Sequence, residues 1–316
     1  MLHFSNDLAL VVVAIVLATL GGEFFLKGVL RAADGLRVPK LLVATTLAAC
    51  ATSAPELTVS TVAALAGQPE IGLGDALGSN VVNIGLIFGL ALLFGPIKVA
   101  RGELGRDFPL ALFAPLLTLG LAADGVLSRG EGGLLLVIFA AWVTASIRAG
   151  LHHREVIGNS TAPSRLGWTL VLTMGGLIAL VTAGRLFVMG ATGIAMNLGV
   201  DTYVIGATIV AVGTSLPELV TVVLARRRGH DEVGVGTLIG SNLFNGLAIV
   251  GTAASIHPVH VSLAEISVAL VMGMTALSLL MPNHAGTIGR LRGLVLLVAY
   301  SVFVMVTLAV GGYTGP

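Results

Sequence analysis

Residues 51–57 read Ala-Thr-Ser-Ala-Pro-Glu-Leu and lie within a segment rich in Leu, Val and Ala that runs from about residue 40 to 66. This motif contains a carboxylate, two hydroxyl groups and a proline that interrupts helices. A near-copy, Gly-Thr-Ser-Leu-Pro-Glu-Leu, occupies residues 213–219, at an offset of 162 residues. The chain therefore carries the same charged motif twice inside apolar sequence.

A second motif repeats at the same offset. Gly78-Ser79-Asn80 corresponds to Gly240-Ser241-Asn242, and Asn83 corresponds to Asn245. One short motif can recur by chance, but two motifs at one offset indicate that the chain arose by internal duplication.

The composition is that of an integral membrane protein. Of 316 residues, 56% are hydrophobic and 10% are charged, whereas a soluble domain has about 25% charged residues. The 42 glycines suit close packing of helices in lipid. A net charge of +1 gives no indication of a nucleic-acid partner, and the single Cys50 cannot form an internal disulfide. No basic region precedes the first apolar run, so we expect a retained helix rather than a signal peptide.

A helix needs about 20 apolar residues to cross a bilayer, and ten segments of this chain meet that requirement. We therefore predict an all-α integral membrane protein with ten transmembrane helices, in which helices 2 and 7 are broken at the motif prolines. The predicted spans are residues 7–30, 40–66, 71–95, 107–122, 132–150, 166–190, 201–225, 234–254, 261–281 and 290–311.

The basic residues predict the orientation of these spans. All 17 Lys and Arg except Arg129 and Arg185 lie on odd-numbered connections, which are therefore expected to be cytoplasmic. Both termini of this multi-pass cell-membrane protein are then extracytoplasmic. Because each half has five helices, the two copies cross the membrane in opposite directions and form an inverted repeat. The predicted division is 1–150 for the first repeat, 151–164 for a cytoplasmic linker and 165–316 for the second repeat.

Glu56 and Glu218 each fall near the middle of a predicted span. A charged side chain at that depth costs about 2.5–3.5 kcal/mol, and no basic residue lies beside either glutamate in the sequence. The pair is therefore expected to bind a cation or a proton; the alternative is that both are protonated and have a structural role. Two carboxylates that converge on one empty site repel each other, so protons are expected to compete with a metal ion.

Oxygen-bearing groups accompany both glutamates. Hydroxyl side chains precede each glutamate by three and four residues, and the motif prolines free backbone carbonyls upstream. The serine and the last asparagine of each second motif are also four residues apart, although helix packing alone is another explanation for them. Carboxylate, carbonyl, hydroxyl and amide oxygens without thiol or imidazole favour calcium, with sodium as an ion that accepts the same atoms. The candidate ligands are Ala49, Thr52, Ser53, Glu56, Ser79, Asn83, Ala211, Thr214, Ser215, Glu218, Ser241 and Asn245.

Glu23 and Arg185 are also related by the offset of 162 residues, and both lie within predicted spans. Either they pair with each other across the axis that relates the two copies, or each extends to a membrane interface. A structural role is expected in both cases.

With both pairs of motifs in view, the chain resembles the calcium/cation antiporter superfamily and, within it, prokaryotic-type sodium/calcium exchangers, whose two alpha repeats carry such motifs. The resemblance implies exchange of calcium for sodium by alternating access, with helices one and six sliding across a rigid core. It also implies the twelve ligands given above, with Ala49 and Ala211 contributing backbone carbonyls. Asn245, where some relatives have Asp, is more similar to potassium-independent exchangers, and Ala51 replaces the usual Gly.

The sequence therefore predicts a sodium/calcium antiporter, not an enzyme, that needs no cofactor. Its expected partners are calcium and sodium ions and the lipid bilayer, and the oligomeric state is left open, a monomer included. The alternative on the same scaffold is a calcium/proton antiporter in which Glu56 and Glu218 accept protons. An intramembrane hydrolase is disfavoured because no membrane-depth histidine accompanies Ser53 or Ser215, and a passive channel would need no counter-ion.

Overall fold

A computed structural model describes residues 2–98, 107–157, 166–197, 211–261, 283 and 286–311 of the 316-residue chain. The elements of the first half are α1 (Leu2–Leu36), α2 (Lys40–Val43), a π segment (Ala44–Ala48), α3 (Ala49–Thr52), α4 (Ala54–Leu65), α5 (Pro69–Val81), a π segment (Val82–Phe88), α6 (Gly89–Leu93), β1 (Ile97–Lys98), α7 (Asp107–Leu121), a 3-10 turn (Ala122–Asp124), β2 (Val126–Leu127) and α8 (Arg129–Ile157).

The second half begins with a long helix and repeats much of the same order. Its elements are α9 (Leu166–Asn197), α10 (Ala211–Thr214), α11 (Leu216–Arg227), α12 (Asp231–Leu243), a π segment (Phe244–Ile249), α13 (Val250–Ile256), β3 (Val259–His260), β4 (Thr287–Ile288) and α14 (Arg290–Gly311).

Within the described ranges, helices are present in nine of the ten predicted spans, in whole or in part. The predicted ninth span, 261–281, and the start of the seventh, 201–210, lie outside those ranges. In the described part, six helices are long and apolar enough to cross a membrane, and the pair Lys40–Thr52 and Ala54–Leu65, bent by 45°, adds a seventh. The protein is thus an α-helical, multi-pass membrane protein.

The helices divide into a central group and an outer group. Among the membrane-length helices of the described part, the stretch 231–256 is wholly buried and 69–93 is mostly buried, whereas α1, α8 and α9 leave most of their surface exposed. Helix α1 packs along α9 over much of its length, and this pair rests on α11 and on the short helices beside the two breaks. The outer pair is therefore a distinct layer against the central helices.

Small residues allow the close approach within the outer pair. At Gly176 of α9, a Cβ atom would overlap the main chain of α1 at Phe25, and it would lie 2.7 Å from the carbonyl oxygen of Gly21. No larger residue fits at such a contact unless the helices separate. The glycines of this chain thus set the spacing between α1 and α9.

The connecting segments meet in two separate groups, and the first contains odd-numbered connections. Strand β1 of the third connection pairs antiparallel with β4, next to the ninth predicted span. The Arg226 side chain donates to the Pro96 carbonyl at 3.0 Å, and the Lys98 amide donates to Asp231 Oδ2 at 3.3 Å. The third, seventh and ninth connections therefore lie together.

The second group contains even-numbered connections. Strand β2 of the fourth connection pairs antiparallel with β3 of the eighth, and the His260 amide donates to Glu70 Oε1 of the second connection at 3.2 Å. Sequence patterns did not indicate either two-residue ladder. Both ladders are short because each closes a connection between helices rather than building a sheet.

Glu23 and Arg185 do not pair with each other. Glu23 Oε1 lies 2.6 Å from Nη2 of Arg228, beyond the end of α11, and Glu23 Oε2 lies 3.9 Å from the Lys27 ammonium. Pairing across the two copies, one of the two sequence-based alternatives, is therefore wrong. The Glu23–Arg228 ion pair instead ties α1 to the second half of the chain.

Candidate cation-binding site

The two charged motifs break their helices in the same way. Ser53 separates α3 from α4 with φ −88° and ψ 9°, and Ser215 separates α10 from α11 with φ −83° and ψ 13°. In each case the motif proline lies in the first turn of the next helix, where its missing N–H has no intrahelical partner to lose. The near-identical local sequence thus produces the same break twice, as predicted.

The residues of the break do not act as helix caps. Ser53-Ala54-Pro55-Glu56 has the spacing of a capping box, in which the serine and glutamate side chains bond to backbone amides of the first turn. Neither Ser53 nor Ser215 makes such a side-chain hydrogen bond. The hydroxyl and carboxylate groups of the motifs are therefore available for other contacts, and both glutamates lie at the positive end of a helix dipole.

One carboxylate gathers hydroxyl groups from both copies. Glu218 Oε1 accepts hydrogen bonds from Ser53 Oγ at 3.2 Å and from Ser241 Oγ at 3.3 Å. Thr52 Oγ1 lies 3.5 Å from Ser241 Oγ, and it donates to the Ala49 carbonyl at 3.2 Å. Five of the predicted ligands, from motifs far apart in the sequence, thus form one hydrogen-bonded group.

Four asparagines form a second group across the two copies. Asn83 Nδ2 donates to Asn242 Oδ1 at 3.2 Å, and Asn245 Nδ2 donates to Asn80 Oδ1 at 3.1 Å. Asn80 Nδ2 also approaches the main-chain oxygen of Asn242 at 3.4 Å. Asn83 and Asn245 both lie at the second position of a π segment, a local helix form that is frequent at functional sites.

Close backbone packing brings helix α12 to the first break. A Cβ atom at Gly240 would overlap the Thr45 carbonyl and lie 2.6 Å from the Ala49 Cβ atom. The glycine before Ser241 therefore lets α12 touch the broken helix, which places the Ser241 hydroxyl beside Thr52. This contact is a physical reason for the glycine at position 240.

Several buried oxygens at this site have no hydrogen-bond partner. Glu56 is 2% exposed and Glu218 is 1% exposed, so their carboxylates are nearly removed from solvent. An unpaired buried oxygen is expensive, and a cluster of them requires an explanation such as a bound ion. Among the predicted ligands, and counting partners within the described residues, five buried oxygens have no hydrogen-bond partner: Glu56 Oε2, Asn83 Oδ1, Ser215 Oγ, Glu218 Oε2 and Asn245 Oδ1.

The donor set fits a hard cation. Within the described ranges, no three side chains of His, Cys, Asp or Glu come together, so the acidic part of the site is the pair of glutamates. Neutral hydroxyl, amide and carbonyl oxygens surround that pair. Calcium takes 6–8 such oxygens in flexible geometry, and these residues supply that number.

All twelve predicted positions lie within the described ranges. Ser79 is buried one turn before Asn83, and Thr214 is half-buried at the end of α10. For Ala211 the structure describes the backbone, which begins α10. The two hydrogen-bonded groups include seven of the other nine positions, and Glu56 and Ser215 each carry a buried oxygen without a partner among the described residues.

Sequence reasoning missed residues one helical turn from the predicted ligands. Ser60 and Thr221 are buried hydroxyls four and three residues after Glu56 and Glu218, and neither hydroxyl oxygen has a hydrogen-bond partner among the described residues. Asp75 differs from these two hydroxyls, since a charge near the outer end of the third predicted span is expected either at the membrane interface or at an ion entrance. It precedes Ser79 by four residues, and its Oδ2 atom is buried without a hydrogen-bond partner among the described residues. The spacing of one helical turn from a ligand was the signal that could have identified them.

A cleft of about 550 Å³ runs beside the breaks. It is bounded by residues of both broken helices and of α9, among them Pro55, Pro217, Thr214 and Arg185. The outer helix α9 thus covers one side of the region that holds the predicted ligands.

Comparisons with known proteins agree with this arrangement. The family model described as "Sodium/calcium exchanger protein" matches residues 7–148 and again residues 168–309. A putative antiporter, CaxA of Alkalimonas amylolytica, is 34% identical over 92% of this chain and 95% of its own length. The sodium/calcium exchanger MaX1 of Methanosarcina acetivorans is 31% identical over 90% of this chain and 94% of its own length.

The solved structures include close matches in fold. The sodium-calcium exchanger NCX_Mj, soaked with sodium and strontium, superposes with a TM-score of 0.82 at 28% identity, over 95% of this chain and 98% of that chain. Crystals of the same exchanger soaked without sodium and calcium give a TM-score of 0.81. The similarity therefore covers nearly the whole molecule.

Proposed function

Because the chain belongs to the sodium/calcium exchanger protein family, and is thus a cation/calcium antiporter rather than an enzyme, we propose that it exchanges calcium for sodium by alternating access. The observation that carries this proposal is the contact of Glu218 with Ser53 and Ser241, beside an unpaired oxygen of each glutamate. Such a contact joins the duplicated motifs into one site.

The transported ion occupies the oxygen cluster between the two breaks. Glu56 and Glu218 supply two negative charges, which one calcium ion neutralises. Hydroxyl, amide and carbonyl oxygens complete its shell. The proposed ligands are the carbonyls of Ala49 and Ala211 and the side chains of Thr52, Ser53, Glu56, Ser79, Asn83, Thr214, Ser215, Glu218, Ser241 and Asn245.

Exchange follows from competition for the same carboxylates. Calcium or several sodium ions neutralise Glu56 and Glu218, so the two cargoes exclude each other. An empty site keeps its two charges, and moving bare charge through an apolar barrier is costly. The protein therefore changes its access only when one of the two cargoes is bound, which couples the two fluxes.

The outer pair α1 and α9 is the element that changes access. It is largely exposed, it packs mainly on itself, and it rests on the broken helices next to the ligands. The central helices are buried and tied together by the asparagine group and the two strand ladders. A sliding movement of the outer pair over this core would open the cleft to one side or the other.

The membrane arrangement that we propose is two inverted repeats of five helices, residues 1–150 and 165–316, with a cytoplasmic linker at 151–164 and both termini outside. The separation of odd-numbered from even-numbered connections supports an alternating path through the membrane. The two matches of the family model, one to each half, support the duplication.

Sodium is the proposed counter-ion, and protons are the alternative. Four hydroxyl side chains, Thr52, Ser53, Thr214 and Ser215, flank the two breaks, and sodium binds neutral oxygens of this kind, whereas a proton needs only the carboxylates. This density of neutral oxygens favours sodium. In a calcium/proton antiporter, Glu56 and Glu218 would carry the protons.

The test is calcium uptake into sealed proteoliposomes at fixed pH, driven by an outward sodium gradient. We expect uptake that requires internal sodium, disappears in Glu56→Gln and persists in the control Glu232→Gln. Glu232 makes a surface contact with His230 at 3.5 Å, and such pairs contribute little. Uptake that ignores sodium but follows an outward proton gradient would establish the proton-coupled alternative. Normal sodium-driven uptake in Glu56→Gln would refute the proposed site.

A further inference from the structure

The atoms of the Asn80 amide are oriented by a backbone group. Its Nδ2 atom lies 3.4 Å from the main-chain oxygen of Asn242. A carbonyl oxygen only accepts hydrogen bonds, so the amide must present nitrogen, not oxygen, on that side. Asn80 Oδ1 consequently faces the other way, toward the side chain of Asn245.

This orientation passes to Asn245, one of the proposed ligands. Because Asn80 presents an oxygen, Asn245 can meet it only with its own Nδ2, and that contact is 3.1 Å long. The remaining atom, Asn245 Oδ1, is buried and has no hydrogen-bond partner within the described residues. The amide therefore keeps its oxygen free on the side away from Asn80.

The same contact exists in mirror image. Asn83 Nδ2 donates to Asn242 Oδ1 at 3.2 Å, and Asn83 Oδ1 is likewise buried without a partner within the described ranges. The offset of 162 residues that relates Asn80 to Asn242 also relates Asn83 to Asn245. Each copy of the motif thus supplies an asparagine that contacts the ligand of the other copy. Within the described ranges a backbone group holds the Asn80 amide, whereas Asn242 Nδ2 is buried without a hydrogen-bond partner.

We propose that Asn80 is a positioning residue that holds the amide of Asn245 with its oxygen toward the transported cation. This inference rests on the proposed function. An amide turned by 180° would present its NH₂ group to the cation, and the cation would then lose an oxygen ligand and face a positive dipole. Without the positioning residue both orientations become accessible.

A purely structural role makes a different prediction. If Asn80 only joins two helices, its loss weakens the protein equally whatever side chain stands at position 245. If Asn80 orients the amide, its loss matters only while position 245 has two different terminal atoms. An aspartate has two oxygens and presents one of them in either orientation, so it needs no positioning residue.

The experiment is a double-mutant cycle on the purified full-length protein, with calcium binding measured by calorimetry in sodium-free buffer. The variants are Asn80→Ala, Asn245→Asp and the double variant. We expect Asn80→Ala to weaken calcium binding about tenfold in the natural sequence, within the range of 10–100-fold for residues that orient a metal ligand. In the Asn245→Asp background the same change should alter binding less than about threefold, since the positioning effect is then absent.

The outcomes distinguish failure of the positioning role from failure of the proposed function. Equal weakening in both backgrounds, or no weakening in the natural sequence, would overturn the positioning role and leave the proposed function standing. Natural protein that binds no calcium would refute the proposed function and this inference with it. If Asn80→Ala does not yield a monodisperse protein, Asn80→Leu, which keeps a similar volume and removes both polar atoms, gives the same comparison with and without Asn245→Asp.

Discussion

Replacing Glu218 by Gln removes one of the two buried charges and keeps the shape of the side chain. Glu218 is 1% exposed, and its Oε1 atom accepts hydrogen bonds from Ser53 and Ser241. A glutamine can place its carbonyl oxygen at the same position and accept the same hydrogen bonds. The variant therefore tests the charge of the site, with little change in packing.

The expected loss of calcium affinity in Glu218→Gln follows from the charge of the ion. At about 4 Å and an effective dielectric constant of about 20, two unit charges attract by about 4 kcal/mol, hence about 8 kcal/mol for a divalent ion. The glutamine amide oxygen is still a calcium ligand with a partial negative charge, so the variant retains part of this attraction. The remaining difference of about 3 kcal/mol corresponds to calcium binding that is on the order of 100-fold weaker.

Calcium-dependent thermal unfolding of the purified protein measures this difference. At a calcium concentration 100 times the dissociation constant of the natural protein, binding stabilises the fold by about 2.7 kcal/mol. If Glu218→Gln binds about 100-fold more weakly, the same calcium concentration stabilises that variant by only about 0.4 kcal/mol. The control Glu232→Gln should keep the full stabilisation. Equal stabilisation of Glu218→Gln and the control would refute the assignment of Glu218 as a charged ligand.

Three further changes test the packing and the protonation of the site. Gly240→Ala should destabilise the protein by about 1–3 kcal/mol in thermal unfolding, because the new Cβ atom overlaps the backbone of the first broken helix, whereas Gly74→Ala, with open space around it, should not. Trp142→Phe should destabilise by about 1.5–3 kcal/mol, since it removes the indole donor that lies 2.9 Å from the buried Asp107 carboxylate; unchanged unfolding would contradict this. Lowering the pH should weaken calcium binding in a titration, because protons occupy the same carboxylates, and Glu218→Gln should reduce that dependence.

The charged motifs could be predicted because their physical signals are local. A carboxylate in an apolar run and a proline two residues into a helix determine, by themselves, a broken helix with a costly charge at membrane depth. The structure accordingly places matching breaks at Ser53 and Ser215. Hydropathy is also local, and seven of the predicted spans correspond to helices, one of them a bent pair, that are long and apolar enough to cross a membrane in the described part of the chain.

The partners of these groups could not be predicted, because they depend on how distant helices pack. Nothing in the neighbourhood of Ser53 indicates that its hydroxyl donates to Glu218, or that Glu23 pairs with Arg228 instead of Arg185. The first contact requires α11 to lie against the first break, and the second requires α1 to cross the end of α11.

The asparagines show the same division between sequence and structure. The second repeated motif predicted Asn83 and Asn245, three residues after Gly-Ser-Asn, as oxygen ligands, and it left Asn80 and Asn242 without a role. Only the tertiary structure brings each of these two amides against the other copy, where hydrogen-bond polarity determines which atom faces the site. The sequence by itself predicted which chemical groups lie in membrane-spanning segments, since hydropathy and helix breaking act over one or two turns. The tertiary structure alone decided which atoms of those groups point at one another, since that requires the two halves of the chain to be packed together.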